Sequence, residues 1–199
     1  MSTIAILDYG SGNLRSAVRA FETSGHDVIL TSDPDVAREA TGLVVPGVGA
    51  FSACMSGLNR VKAAEVIHAR YKQSRPTIGI CIGMQVLFAD SDENGAHAGI
   101  KIWSTSVSKL HAPVLPHMGW NTVEPDSKSL LFKGVEGESF YFVHSYAARD
   151  LPVAVNTYAT HGERFLAATE DGALSATQFH PEKSGRAGLA LIKNWSKTL

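Results

Sequence analysis

Cys81 stands in "GICIGMQ" (79–85), with a glycine two residues away on either side. Upstream, "RPTIG" reads as a short apolar strand entered from a proline, and downstream "MQVLFA" reads as the first turns of a helix. A cysteine at a sharp strand-to-helix junction is where a nucleophile is held with its side chain exposed. Glycine weakens an ordinary core strand, so Gly79 and Gly83 fit a place where a helix passes close to a strained turn. Cys54, in "FSACMSGL", carries no such pattern and reads as a small buried hydrophobe.

A thiol nucleophile needs a base, and the base needs an orienter. "QFHPEKSG" (178–185) offers both in His180 and Glu182. They are two apart in what reads as an extended segment, which puts both side chains on one face. Pro181 drives the residue before it out of the helical region. The chain order Cys, His, Glu differs from the acid-before-histidine order of α/β-hydrolases. Acyl transfer also needs donors aimed at a developing oxyanion. The N–H of Ile82 follows the nucleophile directly. The second donor is expected from "PGVGAF" (46–51), where glycines 47 and 49 let the backbone of Val48 turn an N–H toward the site. A hinge and a plain strand-to-helix turn fit that loop equally well.

The elements that must position these groups alternate in type. "TIAILD" is a buried strand, and Leu14, Ala17, Val18 and Phe21 recur at i, i+3, i+4 and i+7 as a helix face. "DVIL" and "GLVVPG" read as strands, "FSACMSGLNRVKAAEVIHARYK" as a helical region, and "PTIGIC" as the strand that ends at the cysteine. This alternation predicts βαβ units, with a mostly parallel central sheet and helices on both faces, hence an α/β fold. From about residue 100, "KIWSTSVSKL", "SFYFVHSYAA" and "RFLAATEDGALSATQFH" predict a mixed or antiparallel extension. A final helix over 185–198 is expected to carry Leu189, Ile192 and Trp195 on one face.

Composition bounds the function. The 199 residues are 44% hydrophobic with a formal net charge of -1, which gives no basic surplus for nucleic acid and no acidic tail. The opening "MSTIAILDYGSGN" has neither the positive nor the apolar region of a signal peptide, and no apolar run reaches the ~20 residues of a membrane span. Two cysteines are no disulfide framework for a domain of this size, so a cytoplasmic setting with a free Cys81 thiol is expected. The turn "DYGSGNL" lacks the third glycine of a dinucleotide fingerprint and reads instead as a tight turn exposing Asn13. With no C-x-x-C and no H-x-x-x-H, neither a metal nor a cofactor is expected.

Together, "GICIGMQ", "PGVGAF" and "FHPE" resemble the class I, triad-type glutamine amidotransferases. "DYGSGNL", "PHMGWN", "YFVHSY" and "QFHPEKSG" narrow the resemblance to the family of glutaminase subunits of imidazole glycerol phosphate synthase, in histidine biosynthesis. It runs from residue 4 to residue 195. Ile82 departs from the leucine usual there, at a position that contributes only its backbone. The resemblance implies one type-1 amidotransferase domain over 1–199, of flavodoxin-like architecture with an antiparallel extension. It implies Cys81 as nucleophile, His180 as proton carrier and Glu182 as orienter, with Val48 and Ile82 as oxyanion donors. Gly49, Gln85, Glu93, His144, Ser145 and Tyr146 would hold L-glutamine; read alone, Glu93 in "DSDENG" is a solvated loop charge. The implied partner is a separate (β/α)8-barrel cyclase in a heterodimer, which receives ammonia through a dry interface that includes Asn13, Trp120 and Lys183.

Three other readings remain on these residues. A free-standing cysteine hydrolase would share the elbow but have no use for Gln85 or Glu93. A catalytically silent subunit has no need of an intact Cys81, His180 and Glu182. Glutaminases of other synthases, for anthranilate, guanylate or pyridoxal phosphate, share the triad but not the "PHMGWN" and "YFVHSY" pair.

Overall fold

The computed structural model describes residues 2–152 and 154–199. In chain order the first half runs β1 (Thr3–Leu7), α1 (Leu14–Glu22), β2 (Asp27–Thr31), α2 (Pro34–Glu39), β3 (Gly42–Gly47), α3 (Phe51–Arg60), α4 (Ala63–Lys72), β4 (Thr77–Cys81) and α5 (Ile82–Gln85). The second half is strand-rich: β5 (Asp90–Ser91), β6 (His97–Ala98), β7 (Ser108–Lys109), β8 (His117–Thr122), β9 (Glu124–Pro125), β10 (Ser139–His144), β11 (Tyr146–Ala147), β12 (Val155–His161), β13 (Glu163–Asp171) and β14 (Leu174–Thr177). A short 3₁₀ turn (Pro181–Lys183) and α6 (Gly185–Ser196) follow.

One eight-stranded sheet, in the order β2-β1-β3-β4-β14-β13-β12-β9, organises the molecule. From β2 to β14 every neighbour is parallel, and from β14 to β9 every neighbour is antiparallel. Successive strand residues point to opposite faces. All residues of β3 and β4 are nevertheless buried, and in β1 Ile4, Ala5, Ile6 and Leu7 are buried too. Both faces of this half are therefore covered, as parallel sheets require. Helices α1 and α6 pack together, with Phe21 edge-on to Trp195, and α4 packs against α2 and α3. Behind the antiparallel half sits an aromatic cluster of Phe132, Phe140, Phe142 and Phe179.

Arg70 ties the parallel half together without an acidic partner. Its fully buried guanidinium donates to the carbonyls of Ala37, Arg38, Ala40, Thr41 and Pro76 and to the Thr77 hydroxyl. These groups terminate α2, lead into β3 and open β4, so one side chain sets the start of the strand that ends at Cys81.

Four expectations need correction. The helical region over 51–72 is two helices, because Lys62 adopts a positive φ of 52° that no helix interior accepts. The helix after Cys81 is a single turn. "KIWSTSVSKL" is largely irregular, with only Ser108 and Lys109 in a strand. On α6, Leu189 is 37% exposed, and the buried face is Ala187, Gly188, Leu191, Ile192 and Trp195. The stretch "LSAT" belongs to the parallel half through β4 as well as to the antiparallel extension through β13.

Candidate active site

The strands that run parallel deliver their C-terminal ends to one edge, where open α/β sheets bind ligands. There a cavity of about 690 Å³ is lined by Gly12 and Asn13 after β1, Val48 and Gly49 after β3, and Cys81 at the end of β4. His144 at the end of β10, Ser145, Tyr146 at the start of β11 and His180 after β14 add to the wall, with Gln85 from α5 and Glu93 from the loop after β5.

Cys81 sits at φ 56° and ψ -111°, a backbone that a non-glycine residue holds only when its surroundings impose it. The glycines on either side explain how. A Cβ on Gly79 would lie 2.4 Å from the Gly83 carbonyl oxygen, and a Cβ on Gly83 would lie 1.8 Å from that of Val45. The strand, the elbow and the following turn are thus in backbone contact that any side chain would break.

His180 and Glu182 meet as the sequence predicts, by a different local geometry. His180 is extended, but Glu182 lies in the 3₁₀ turn rather than in a strand. That turn brings Glu182 Oε1 to 2.8 Å from His180 Nδ1. The carboxylate accepts, so Nδ1 carries the proton and Nε2 is left for the site. Nε2 is buried and, among the described residues, has no hydrogen-bond partner at full bonding geometry, with Cys81 the side chain that acts on it. The backbone of His180 is pinned on both sides: its N–H donates to the Tyr141 carbonyl at 2.9 Å, and its carbonyl accepts from Ser184 Oγ at 2.6 Å. Burial disfavours the imidazolium, but the Cys81 thiolate and the Glu182 carboxylate outweigh it and raise the His180 pKa to about 9.

The two expected oxyanion donors differ in their hydrogen bonding. The Ile82 N–H opens a helical turn and has no acceptor within it. The Val48 N–H instead donates to Ser11 Oγ at 3.2 Å. Ser11 Oγ donates back to the Val48 carbonyl at 2.8 Å, and Cys54 Sγ lies 3.4 Å from that oxygen and 3.2 Å from Ser11 Oγ. The Val48 N–H is therefore engaged by Ser11, and the carbonyl of the next peptide is held by Ser11 and Cys54. Cys54 is buried, as expected, but it is part of this grip as well as of the core.

The cavity walls are polar groups held by other polar groups. Gln85 Nε2 spends both hydrogens, on the Tyr146 carbonyl at 2.8 Å and on Gln178 Oε1 at 2.9 Å. Its Oε1 remains buried and unpartnered, an acceptor awaiting a donor. Glu93 is not a solvated loop charge: its Oε2 accepts from the Phe51 N–H at 2.6 Å, at the start of α3. His144 Nδ1 donates to the Tyr146 carbonyl at 3.0 Å, which forces its Nε2 to accept from His117 Nδ1, also at 3.0 Å. His117 Nε2 then accepts from Asn121 Nδ2 at 3.2 Å. Both rings are held neutral. Burial lowers the His144 pKa to about 3, and burial with the neighbouring His161 lowers that of His117 to about 4.

Two of the three expected interface residues line the cavity, and the third lies outside it. Asn13 and Lys183 line the mouth of the cavity. Trp120 lies outside it, 59% exposed, and meets the Tyr141 ring edge-on at 6.1 Å, with Lys183 Nζ 6.0 Å from the same ring. Sequence reasoning missed Ser11 and Gln178. Ser11 lies inside "DYGSGNL" and Gln178 opens "QFHPEKSG", so both motifs were seen without a role for these side chains.

A family model described as "Glutamine amidotransferase class-I" matches residues 5–198. The imidazole glycerol phosphate synthase subunit HisH of Nocardia farcinica is 53% identical, over 99% of this chain and 98% of that protein. The subunit of the same name from Mycobacterium tuberculosis is also 53% identical, over 97% and 96%. Among solved structures, PurLQS from Thermotoga maritima superposes with a TM-score of 0.76 over 100% of this chain and 99% of that one. At 16% identity that likeness concerns the fold alone.

Proposed function

The chain belongs to the class-I glutamine amidotransferase family, and from that premise we propose that it is the glutaminase subunit of an imidazole glycerol phosphate synthase. The observation that carries this reading is the meeting, in one cavity, of an elbow-held Cys81, a buried His180–Glu182 pair and the orphaned Gln85 acceptor. Full-length identity of 53% to the HisH subunits supports the choice among glutaminases of different synthases.

In this mechanism the Cys81 thiolate attacks the side-chain amide carbon of glutamine. The oxyanion is met by the Ile82 N–H and, once its peptide turns, by the Val48 N–H. The His180 imidazolium gives its Nε2 proton to the departing ammonia, leaving a thioester on Cys81. Neutral His180 then takes a proton from water as the water oxygen attacks the thioester carbon, and the C–S bond breaks to release glutamate and restore the Cys81 thiolate beside the His180 imidazolium. Glu182 holds the ring in the required tautomer throughout. Gln85 Oε1 and the free capacity of Glu93 suit the N–H groups of the substrate, including its ammonium. Gly49, His144, Ser145 and Tyr146 shape the remaining wall.

The product ammonia passes to a (β/α)8-barrel cyclase docked on the rim of Asn13, Trp120 and Lys183, where it completes imidazole glycerol phosphate and AICAR. Lys183 forms an ion pair with an acidic residue of that partner. The heterodimer works in the cytoplasm as a lyase under allosteric control, and residues 1–199 act as one amidotransferase domain. The test is Cys81→Ala in the complex. Glutamine-dependent synthesis is lost, while synthesis from added ammonium salts persists. Glutaminase activity in that variant removes Cys81 from the mechanism.

A further inference from the structure

Gln178 is 1% exposed and belongs to none of the roles above. It follows β14, whose last residue, Thr177, pairs with Ile80 just before the nucleophile. Its backbone N–H is tied to the Ala167 carbonyl at 2.8 Å, so the side chain leaves a fixed point beside the elbow. The orientation of its amide is dictated by its neighbour. Gln85 can only donate through Nε2, and one of those hydrogens goes to Gln178 Oε1. The carbonyl end of Gln178 is thereby identified, and the NH₂ end is the one that faces Cys81, with Nε2 3.8 Å from Sγ. That is the range of an N–H to sulfur contact, long because sulfur is large. A buried amide hydrogen without an acceptor is costly, and the sulfur is the acceptor this one has.

We propose that Gln178 is a positioning residue for the nucleophile, whose side-chain amide donates to the Cys81 sulfur, favours its thiolate and aims it into the cavity. The inference rests on Cys81 being the nucleophile. It adds a second support to the one His180 gives, from two residues earlier in the same segment after β14 and without any proton to exchange. A donor that does not titrate supports the sulfur whenever it is a thiolate, before it attacks the amide and again as it leaves the thioester, whatever proton His180 holds. It also couples the nucleophile to the pocket. Gln85, whose free oxygen lines the cavity, holds Gln178, and Gln178 holds the sulfur.

Other groups also act on Cys81. His180 backed by Glu182 faces it directly, Tyr9 and Cys54 lie behind the Val48 peptide, and Glu93, His144 and Lys183 stand across the cavity. The Val143 carbonyl, 4.0 Å from Sγ, can accept only from a thiol and so disfavours the thiolate. Gln178 is the neutral counterweight to that carbonyl.

Gln178→Glu separates the two halves of the amide. One carboxylate oxygen still accepts from Gln85 while the other replaces the donor to sulfur. The measurement is the rate of iodoacetamide alkylation at Cys81, read by mass spectrometry across pH, beside kcat and KM for glutamine with the cyclase and its nucleotide ligand present. In Gln178→Glu and in the apolar Gln178→Met, the Cys81 profile moves at least one unit to higher pH, a tenfold loss of reactivity on its rising limb. kcat falls by tenfold or more, while KM changes less than threefold in Gln178→Glu, where the Gln85 contact survives. A merely structural Gln178 moves KM or melting and leaves the alkylation profile in place, which overturns the inference.

A measurement on the unaltered chain does not depend on the variants folding. The side-chain ¹⁵N amide resonances of Gln178 shift with the same pH midpoint as Cys81 alkylation and stop shifting in Cys81→Ala. Resonances indifferent to the sulfur overturn the contact. Glutamine hydrolysis that survives complete alkylation of Cys81 overturns the reading of the nucleophile itself, a result distinct from failure of Gln178 alone.

Discussion

Ser11→Ala is expected to make the isolated chain a faster glutaminase. The Ser11 hydroxyl accepts from the Val48 N–H at 3.2 Å, which occupies the donor an oxyanion would need, and donates to the Val48 carbonyl at 2.8 Å. A hydrogen bond is worth about 0.5–1.5 kcal/mol net, and these two lie near the surface, at the low end of that range. Together they favour the engaged N–H by about 1–2 kcal/mol, a factor of ~5–30 in population. A missing oxyanion donor costs about 10²–10³ in rate, so there is room for the whole gain. Basal glutamate release should rise ~5–30-fold, and the stimulation by cyclase plus nucleotide ligand should shrink by the same factor under an unchanged ceiling. Glutamate is assayed with and without the partner, and Cys81 alkylation verifies that the elbow is intact. A basal rate that stays at the unaltered level on an intact elbow refutes the grip of Ser11 on Val48.

Glu182→Gln is expected to lose less glutaminase activity than His180→Ala, since an orienter matters less than the base it orients; equal losses of kcat would show that Glu182 also maintains the fold. His180 titrates in the folded state at about 9, above its unfolded value, so its stabilisation is complete below about pH 6.5 and is lost as pH rises through 9. Cys81→Ala removes one cause of that rise, and an imidazole NMR titration should find His180 lower; an unmoved midpoint would dissociate the pair. His144 and His117 have folded values below the unfolded one, so their contribution is present above pH 6.5 and is lost as pH falls toward 4 and 3. Urea unfolding between pH 6.5 and 5 should show a decline of about 1 kcal/mol per unit from His144 alone, a share lost in His144→Asn if that variant folds, with the share of His117 left. Arg70→Met removes the bonds to five carbonyls and the Thr77 hydroxyl, of which Pro76, Ala40 and Thr77 keep another partner, and should cost about 3 kcal/mol or more, read from the same urea curves; a loss under 1 kcal/mol would mean water replaces the guanidinium.

The parallel half of the fold was legible because its strands are short unbroken apolar runs separated by helix-period segments. Gly79 and Gly83 betrayed the elbow because no other residue survives the backbone contacts they make. Features that depend on one residue's φ, such as the break at Lys62, leave no trace in periodicity. "KIWSTSVSKL" has strand composition but lacks a neighbour to pair with over most of its length. Among the site residues, Cys81, His180 and Glu182 announced themselves by chemistry and spacing. Glu93 became intelligible only through Phe51, forty-two residues away in the chain, whose N–H it accepts. Ser11 and Gln178 stayed silent for the same reason: a serine in a glycine turn and a glutamine at a strand end have no distinctive pattern until their partners are in view.

The placement of β14 has a consequence for the order in which the molecule comes into being. This strand closes the gap between β4 and β13, and it brings Gln178, His180 and Glu182 with it. A nascent chain emerging from the ribosome therefore completes the nucleophile's strand about a hundred residues before it makes that strand's neighbour or its base. Until then β4 is an open apolar edge, prone to pair with other chains. Interrupted synthesis leaves a sticky fragment with no base beside Cys81, and the capacity to split glutamine arrives only once the residues after β14 have been made.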